Sequence, residues 1–264
     1  MKKWKLTYEL QILFSSPVSH HFYSLRCLPQ HRQTQDILTC SCRIEPCPHF
    51  QSRRMDSFGN QLLYGKIEKD SLFFRASVTA VAAVYMPMET EIKDYIQLGM
   101  YRCHTVRTMA GERIKTFADA QKSNLKSAVT PWERTEAWME VLWNHFAYQS
   151  GSTDINTTAE DAFKSGYGVC QDYAQILLAL LREDGITARY AAGTVPGEGE
   201  THAWVETWQD GNWKGFDPTN NRVMDESCLV FAVGRDAWDC ALNKGVFLGN
   251  AGQAKKVYVK MEEG

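Results

Sequence analysis

Three residues in the second half of this 264-residue sequence could together carry out acyl transfer: Cys170, His202 and Asp217. Cys170 stands in Gly166-Tyr-Gly-Val-Cys170-Gln-Asp, a glycine-flanked turn. The turn opens onto an apolar run with Ala174, Leu177, Leu178 and Leu181 at helical spacing and Gly185 as its C-cap. A thiol on the first turn of such a helix meets unpaired amide donors and the positive end of the helix dipole, and both favour the thiolate. His202 opens a strand, Thr201-His-Ala-Trp-Val-Glu-Thr-Trp208. Asp210-Gly-Asn212 turns the chain, and Trp213-Lys-Gly-Phe216 returns to Asp217-Pro-Thr-Asn220. Two strands joined so tightly are neighbours, so the imidazole and the carboxylate lie side by side. Nucleophile, base and orienting carboxylate are the parts of a Cys-His-Asp triad, which attacks an amide or ester carbonyl through a thioester.

The elements that must hold these residues can be read along the chain. Leu6, Tyr8, Leu10, Ile12 and Phe14 alternate as in a half-buried strand, with further strand patterns at 22–28, 35–44, 62–66 and 72–85 and a turn at Asp56-Ser-Phe-Gly-Asn60. Residues 1–86 thus read as a β-rich N-terminal domain, and 87–264 as the catalytic core with a helical lead-in. Within the core, a helix is expected over 109–120. A second starts at the capping box Thr130-Pro-Trp-Glu133 and runs to about Tyr148, with Trp138, Val141, Leu142, His145 and Phe146 on its packed face. A short helix over 158–164, a strand over 186–195 and a last strand over 256–261 complete an α+β chain. Pro196-Gly-Glu-Gly-Glu200, directly before His202, reads as a flexible acidic loop that either shapes substrate access or merely turns the chain.

Composition narrows the function classes. Hydrophobic residues at 44% and charged residues at 23% fit a globular chain with a sizeable core. The net charge of −2 offers no basic stripe for nucleic acid and no polybasic patch for a membrane. Glu9 and Gln11 interrupt the basic start before an apolar leader can form, and no run is long enough to span a bilayer. Eight cysteines without an export signal suit a reducing cytoplasm.

Cys40, Cys42, Cys47 and His49 could supply soft ligands, but the usual zinc spacings are absent and they read as strand and loop residues. Cys103-His104 places two side chains roughly 100° apart on a helix, and no second site is read there. His145 reads as a packed or hydrogen-bonded core histidine and not as a ligand. Glu206 shares a strand face with His202 and reads as a structural hydrogen-bond partner; Trp204 and Trp208 share it too and are expected to wall the cleft. Arg235 and Asp236 read as a structural or surface pair. The oxyanion needs preorganised donors. One is the backbone amide of Cys170, and Tyr148, Gln171 and Trp204 remain open as the second.

The runs Gly168-Val-Cys-Gln-Asp-Tyr-Ala174, His202-Ala-Trp-Val-Glu206 and Phe216-Asp-Pro-Thr-Asn220, with Ala188-Arg-Tyr190 between the first two, resemble the transglutaminase-like superfamily of cysteine enzymes. The N-terminal β pattern with its D-x-F-G-N turn is similar in outline to the region that precedes the core in bacterial members. The resemblance implies Cys170 as nucleophile, His202 as general acid/base and Asp217 as the carboxylate that orients it. It implies a papain-like arrangement of helices on an antiparallel sheet, no metal or other cofactor, and a peptide or protein substrate. Hydrolysis as a peptidase or amidase is the favoured chemistry. Transfer to an amine, or a catalytically silent binding module, are the alternatives.

Overall fold

The computed structural model describes residues 1–85, 88–90 and 95–264. Five strands come first: β1 (Lys2–Leu25), β2 (Gln35–Glu45), β3 (Phe50–Met55), β4 (Gln61–Ile67) and β5 (Ser71–Val84). Then follow β6 (Met88–Thr90), α1 (Tyr95–Met100), α2 (Glu112–Gln121), α3 (Pro131–His145), β7 (Ala147–Tyr148), α4 (Ala159–Ser165), β8 (Tyr167–Gly168) and α5 (Cys170–Glu183). The chain ends with β9 (Ala188–Thr194), β10 (Gly197–Gly199), β11 (His202–Gln209), β12 (Asn212–Asp217), β13 (Arg222–Val223), β14 (Leu229–Gly234), β15 (Asn243–Leu248) and β16 (Gln253–Glu263). The architecture is α+β, and none of the described helices is long and apolar enough to cross a membrane.

Two sheets pack face to face in the N-terminal part, and β1 belongs to both. Its first half pairs with β5 on one edge and β16 on the other; Ser19–Leu25 pairs with β4 and β15. The register breaks between Leu13 and Val18 and again between Ser19 and Phe22, where His20 takes a positive φ of 46°. The two strand patterns read at 6–14 and 22–28 are therefore one bent strand. Leu6, Tyr8, Leu10 and Ile12 alternate into the core between the sheets, as their period of two requires.

The expected division at 86/87 falls outside the described residues, but its C-terminal half needs correction. β15, β16 and β10 join the N-terminal sheets and not the core sheet. The reason is an open edge: β1 has β5 on one side only, and β16 runs antiparallel along the other from Trp4 to Phe14. Gly197–Gly199 is likewise a strand hydrogen-bonded to β16, not the free loop that its glycine content suggested.

The core sheet has the order β13-β12-β11-β9-β14, antiparallel throughout, with β6 also pairing along β12. α5 covers one face. It is buried from Asp172 to Arg182, as befits a helix with the sheet on one side and α2, α3 and α4 on the other. α3 begins at the expected capping box, Thr130 Oγ1 accepting from the Glu133 amide and the Glu133 carboxylate from the Thr130 amide. It stops at His145, earlier than expected, because Phe146 turns extended and Ala147–Tyr148 pairs with β8. His145 is exposed on the last turn, its ring against Phe117 at 4.9 Å, and is not a core residue.

The sandwich is fastened to the core sheet through the outer edge of β14. Gln35 Nε2 donates to the Val230 carbonyl at 2.9 Å and its Oε1 accepts from the Val230 amide at 2.9 Å. Asn60 does the same three residues further on, to the carbonyl and amide of Val233, both at 2.8 Å. Each side-chain amide thus stands in for a strand on an edge that would otherwise be buried unpaired. The D-x-F-G-N turn aims the second one. Asp56 Oδ1 takes the amides of Phe58 and Asn60, and Oδ2 takes Asn60 Nδ2 and Arg26 Nε. Asn60→Leu leaves a buried amide and carbonyl of Val233 without partners. It should lower stability by about 2–4 kcal/mol, seen as a lower urea midpoint with an unchanged denaturant slope.

Candidate active site

The elbow before Cys170 needs its glycines for different reasons. Gly166 ends α4 in the left-handed region, φ 78°. Gly168 must lack a side chain because an added Cβ would lie 2.6 Å from Asp172 Oδ2. Asp172 reaches back to accept the Val169 amide at 2.8 Å and also accepts Thr153 Oγ1 at 2.6 Å. One fully buried carboxylate therefore caps α5 and ties the 149–157 loop to the elbow. Burial raises the pKa of Asp172, partly offset by these two donors. Cys170 and Gln171 come at the first turn of α5, where no preceding turn supplies acceptors for their amides.

β11 and β12 meet through a two-residue turn, Asp210-Gly211, with both residues at positive φ (48° and 88°) as a type I′ hairpin requires. The register sets Val205 opposite Phe216, so Asp217 falls opposite Trp204 and His202 lies two residues along the same face. His202 Nε2 approaches Asp217 Oδ2 to 2.9 Å, a close charge contact whose angle falls short of a linear hydrogen bond. Cys170 faces the same cleft, near enough for its thiol to favour the charged imidazole. Asp217 has no exposed surface. Its oxygens accept the amides of Thr219 (3.1 Å) and Asn220 (3.4 Å), Asn220 Nδ2 (2.7 Å) and Arg222 Nε (3.3 Å).

Burial alone would lower the pKa of His202, but Asp217 and Cys170 outweigh it and raise the imidazole to about 9. Burial pushes Asp217 up, and His202, Asn220 and Arg222 more than reverse this, so the carboxyl sits below its ordinary value. The pair is thus an imidazolium held against a carboxylate at neutral pH.

Cys170 and His202 open into a cleft of about 520 Å³. Val169, Gln171, Tyr190 and Thr201 line it from the core, and Tyr8, Lys255, Lys256 and Val257 from the N-terminal sandwich. The sandwich wall was not read from the sequence, because only the pairing of β16 with β1 brings residues so far from Cys170 to it. Of the open oxyanion candidates, Gln171 lines the cleft and its amide donates to the Asp154 carbonyl at 3.3 Å. Tyr148 is exposed on β7; burial first, then the charge of Cys170, raises its phenol, so the two are neighbours. Trp204 does not line the cleft: its ring stacks against that of His202, centroids 6.4 Å apart, and is buried among Ala191, Met224, Val230 and Val233. Trp208 also misses the cleft and packs edge-on against Trp213 at 5.3 Å.

The remaining clusters resolve as structure. Glu206 holds Arg189 at 2.6 Å in a buried pair beneath Trp213, with Arg189 4.1 Å from that ring. Arg235 pairs with Asp239 at 2.8 Å, not with Asp236, whose carboxylate instead accepts the amides of Trp238 and Asp239. His104 is held between the Thr108 carbonyl and Glu183. Cys40 and Cys42 lie on β2, while Cys47 and His49 are exposed beyond it.

Residues 115–218 match the model of the transglutaminase-like superfamily, and residues 4–83 match the bacterial transglutaminase-like N-terminal region. An uncharacterized protein of Mycobacterium leprae is 26% identical over 99% of both chains. One of Mycobacterium tuberculosis is 25% identical over 94% of this chain and 88% of its own. A solved structure from Cytophaga hutchinsonii, provisionally named a cysteine protease, superposes with a TM-score of 0.80 at 23% identity. It covers 99% of this chain and 90% of that one, and so shares the fold.

The raised imidazole has a consequence for stability. Its folded value is about 9 against an ordinary 6.5, so its contribution is complete below about pH 6.5 and is lost as pH rises through about 9. His202→Ala should therefore flatten the decline of denaturation midpoint between pH 6.5 and 9, and the wild-type ring should titrate near 9 by NMR.

Proposed function

The chain is a member of the transglutaminase-like superfamily through residues 115–218, and from that premise we propose that it is a cysteine-dependent acyl-transfer enzyme that hydrolyses amide bonds in peptides or proteins. The observation that carries this reading is the meeting of Cys170, at the start of a buried helix, with an imidazole paired to a fully buried carboxylate in one cleft. In the proposed reaction the Cys170 thiolate attacks the carbonyl carbon, with the Cys170 amide as one oxyanion donor and Gln171 or Tyr148 as the second. The imidazolium of His202 gives its proton to the leaving amine, leaving a thioester. His202 then takes a proton from water, the hydroxide adds to the thioester, and collapse breaks the C–S bond, releasing the acid and leaving the Cys170 thiolate beside the His202 imidazolium as at the start. Asp217 keeps the ring oriented and compensates its charge throughout.

Exposed charged residues at the cleft, Glu200, Lys255 and Lys256, favour a wet site and so water over an amine as acceptor. Eight unpaired cysteines favour a reducing, cytoplasmic setting as part of the same reading.

Limiting iodoacetamide at pH 6–7 should label Cys170 ahead of the other seven cysteines, and His202→Ala should remove that preference. Uniform labelling would leave a silent binding module as the better reading. Asp217→Asn should lower kcat by about 10³–10⁴-fold on a fluorogenic amide while the circular dichroism spectrum is kept. Adding a primary amine during turnover separates the acceptors: an amide of that amine as main product would replace hydrolysis by transfer.

A further inference from the structure

A second cavity, of about 330 Å³, lies between the two sheets of the sandwich and shares Ile155, Asn243 and Lys255 with the catalytic cleft. Its volume is at the low end of small-molecule sites, the size for one side chain and not a whole ligand. Its walls are aromatic: His21 stands edge-on to Phe74 at 4.8 Å and to Phe247 at 6.2 Å, and Tyr23 tilts against Phe74 at 5.1 Å. The Tyr23 hydroxyl is already committed to Gln51 Oε1 at 2.8 Å.

His21 is the anomaly. It is 5% exposed, no hydrogen bond to its ring is found among the described residues, and its nitrogens keep some accessible surface, so they are not among the sealed unpaired atoms. Burial lowers its pKa to about 4, so the ring is neutral and offers one donor and one acceptor. A ligand atom that enters the cavity can take up either of them. Gly245 leaves Nε2 uncovered: a Cβ there would come within 2.8 Å of that atom.

We propose that this cavity is a specificity subsite for a tyrosine side chain of the substrate, its ring among Phe74, Tyr23 and Phe247 and its hydroxyl on His21. Aromatic walls favour a ring in edge-on contact, and the unpaired imidazole selects a ring that carries a hydrogen-bonding atom. The peptide backbone then passes the shared throat into the cleft, beside the exposed ammonium of Lys255. Only the identification of the occupant as part of a substrate rests on the acyl-transfer reading; the binding itself does not.

The test is a titration of full-length Cys170→Ala protein with N-acetyl-tyrosinamide and N-acetyl-phenylalaninamide, read from histidine ring resonances by NMR. Saturable shifts of His21 are expected for both, with the tyrosine amide about fivefold tighter, one ordinary buried hydrogen bond. That difference should vanish in His21→Phe, and Gly245→Val should abolish both shifts. If the amides move only His202, or nothing, or bind His21 equally well, the subsite is wrong. Iodoacetamide labelling of wild-type Cys170 judges the acyl-transfer reading separately, so the two failures cannot be confused.

Discussion

Everything at the site depends on keeping one carboxylate charged where no water reaches it. Asp217 has no exposed surface, and an ion so placed loses several kcal/mol of hydration that its neighbours must offset. The fold answers locally. Asp217 sits at the last position of β12, so the turn that follows supplies two backbone amides and the Asn220 side chain, and Arg222 returns on β13. These donors leave the edge facing His202 as the place where a positive charge is still wanted. The imidazole is therefore raised by a carboxylate that the turn has already stabilised, and it can stand charged beside the thiol at neutral pH.

A second constraint is that the sheet carrying this pair must stop at a defined edge. β14 is its last strand, and an unpaired edge buried against the sandwich would leave orphaned amides and carbonyls. Gln35 and Asn60 fill that role with side chains, which ends the sheet without extending it. The same contacts set the distance between the sandwich and the core sheet, and so the width of the cleft that lies between Tyr8 and Tyr190. A hydrogen bond some way from the thiol thus helps decide what can approach it.

What the sequence disclosed follows the range of the interactions involved. Cys170, His202 and Asp217 were legible because an elbow and a two-residue hairpin turn are local, and local geometry fixes their relation. The β-rich start and the capping box at Thr130 were legible for the same reason. Trp204 does share the face of His202 and stacks on its ring, but alternation does not tell whether a side chain on that face ends in the cleft or is buried beside it. His145 has the period of its helix's packed face but sits on a last turn that projects beyond the core. Pro196–Glu200 lacks strand-forming residues, and only the edge of β16 makes a strand of it. Lys255 and His21 carried no local signal at all, since a 24-residue bent strand shared by two sheets brings them to the same cavity.

The division of labour that results is asymmetric. Helix, hairpin and turn hold the reacting groups through backbone amides and buried ions, which tolerate little change. The opposite wall comes from β1, β15 and β16, with exposed lysines and one aromatic cavity. Under the proposed function, chemistry is thus fixed on one side of the cleft and selection falls to the other. Because β16 is also the strand that closes the edge of β1, the selecting wall cannot be removed without exposing the sandwich core. The N-terminal region is therefore part of the site by construction, and the substrate must be sought in what its wall will accept as much as in what the thiol can attack.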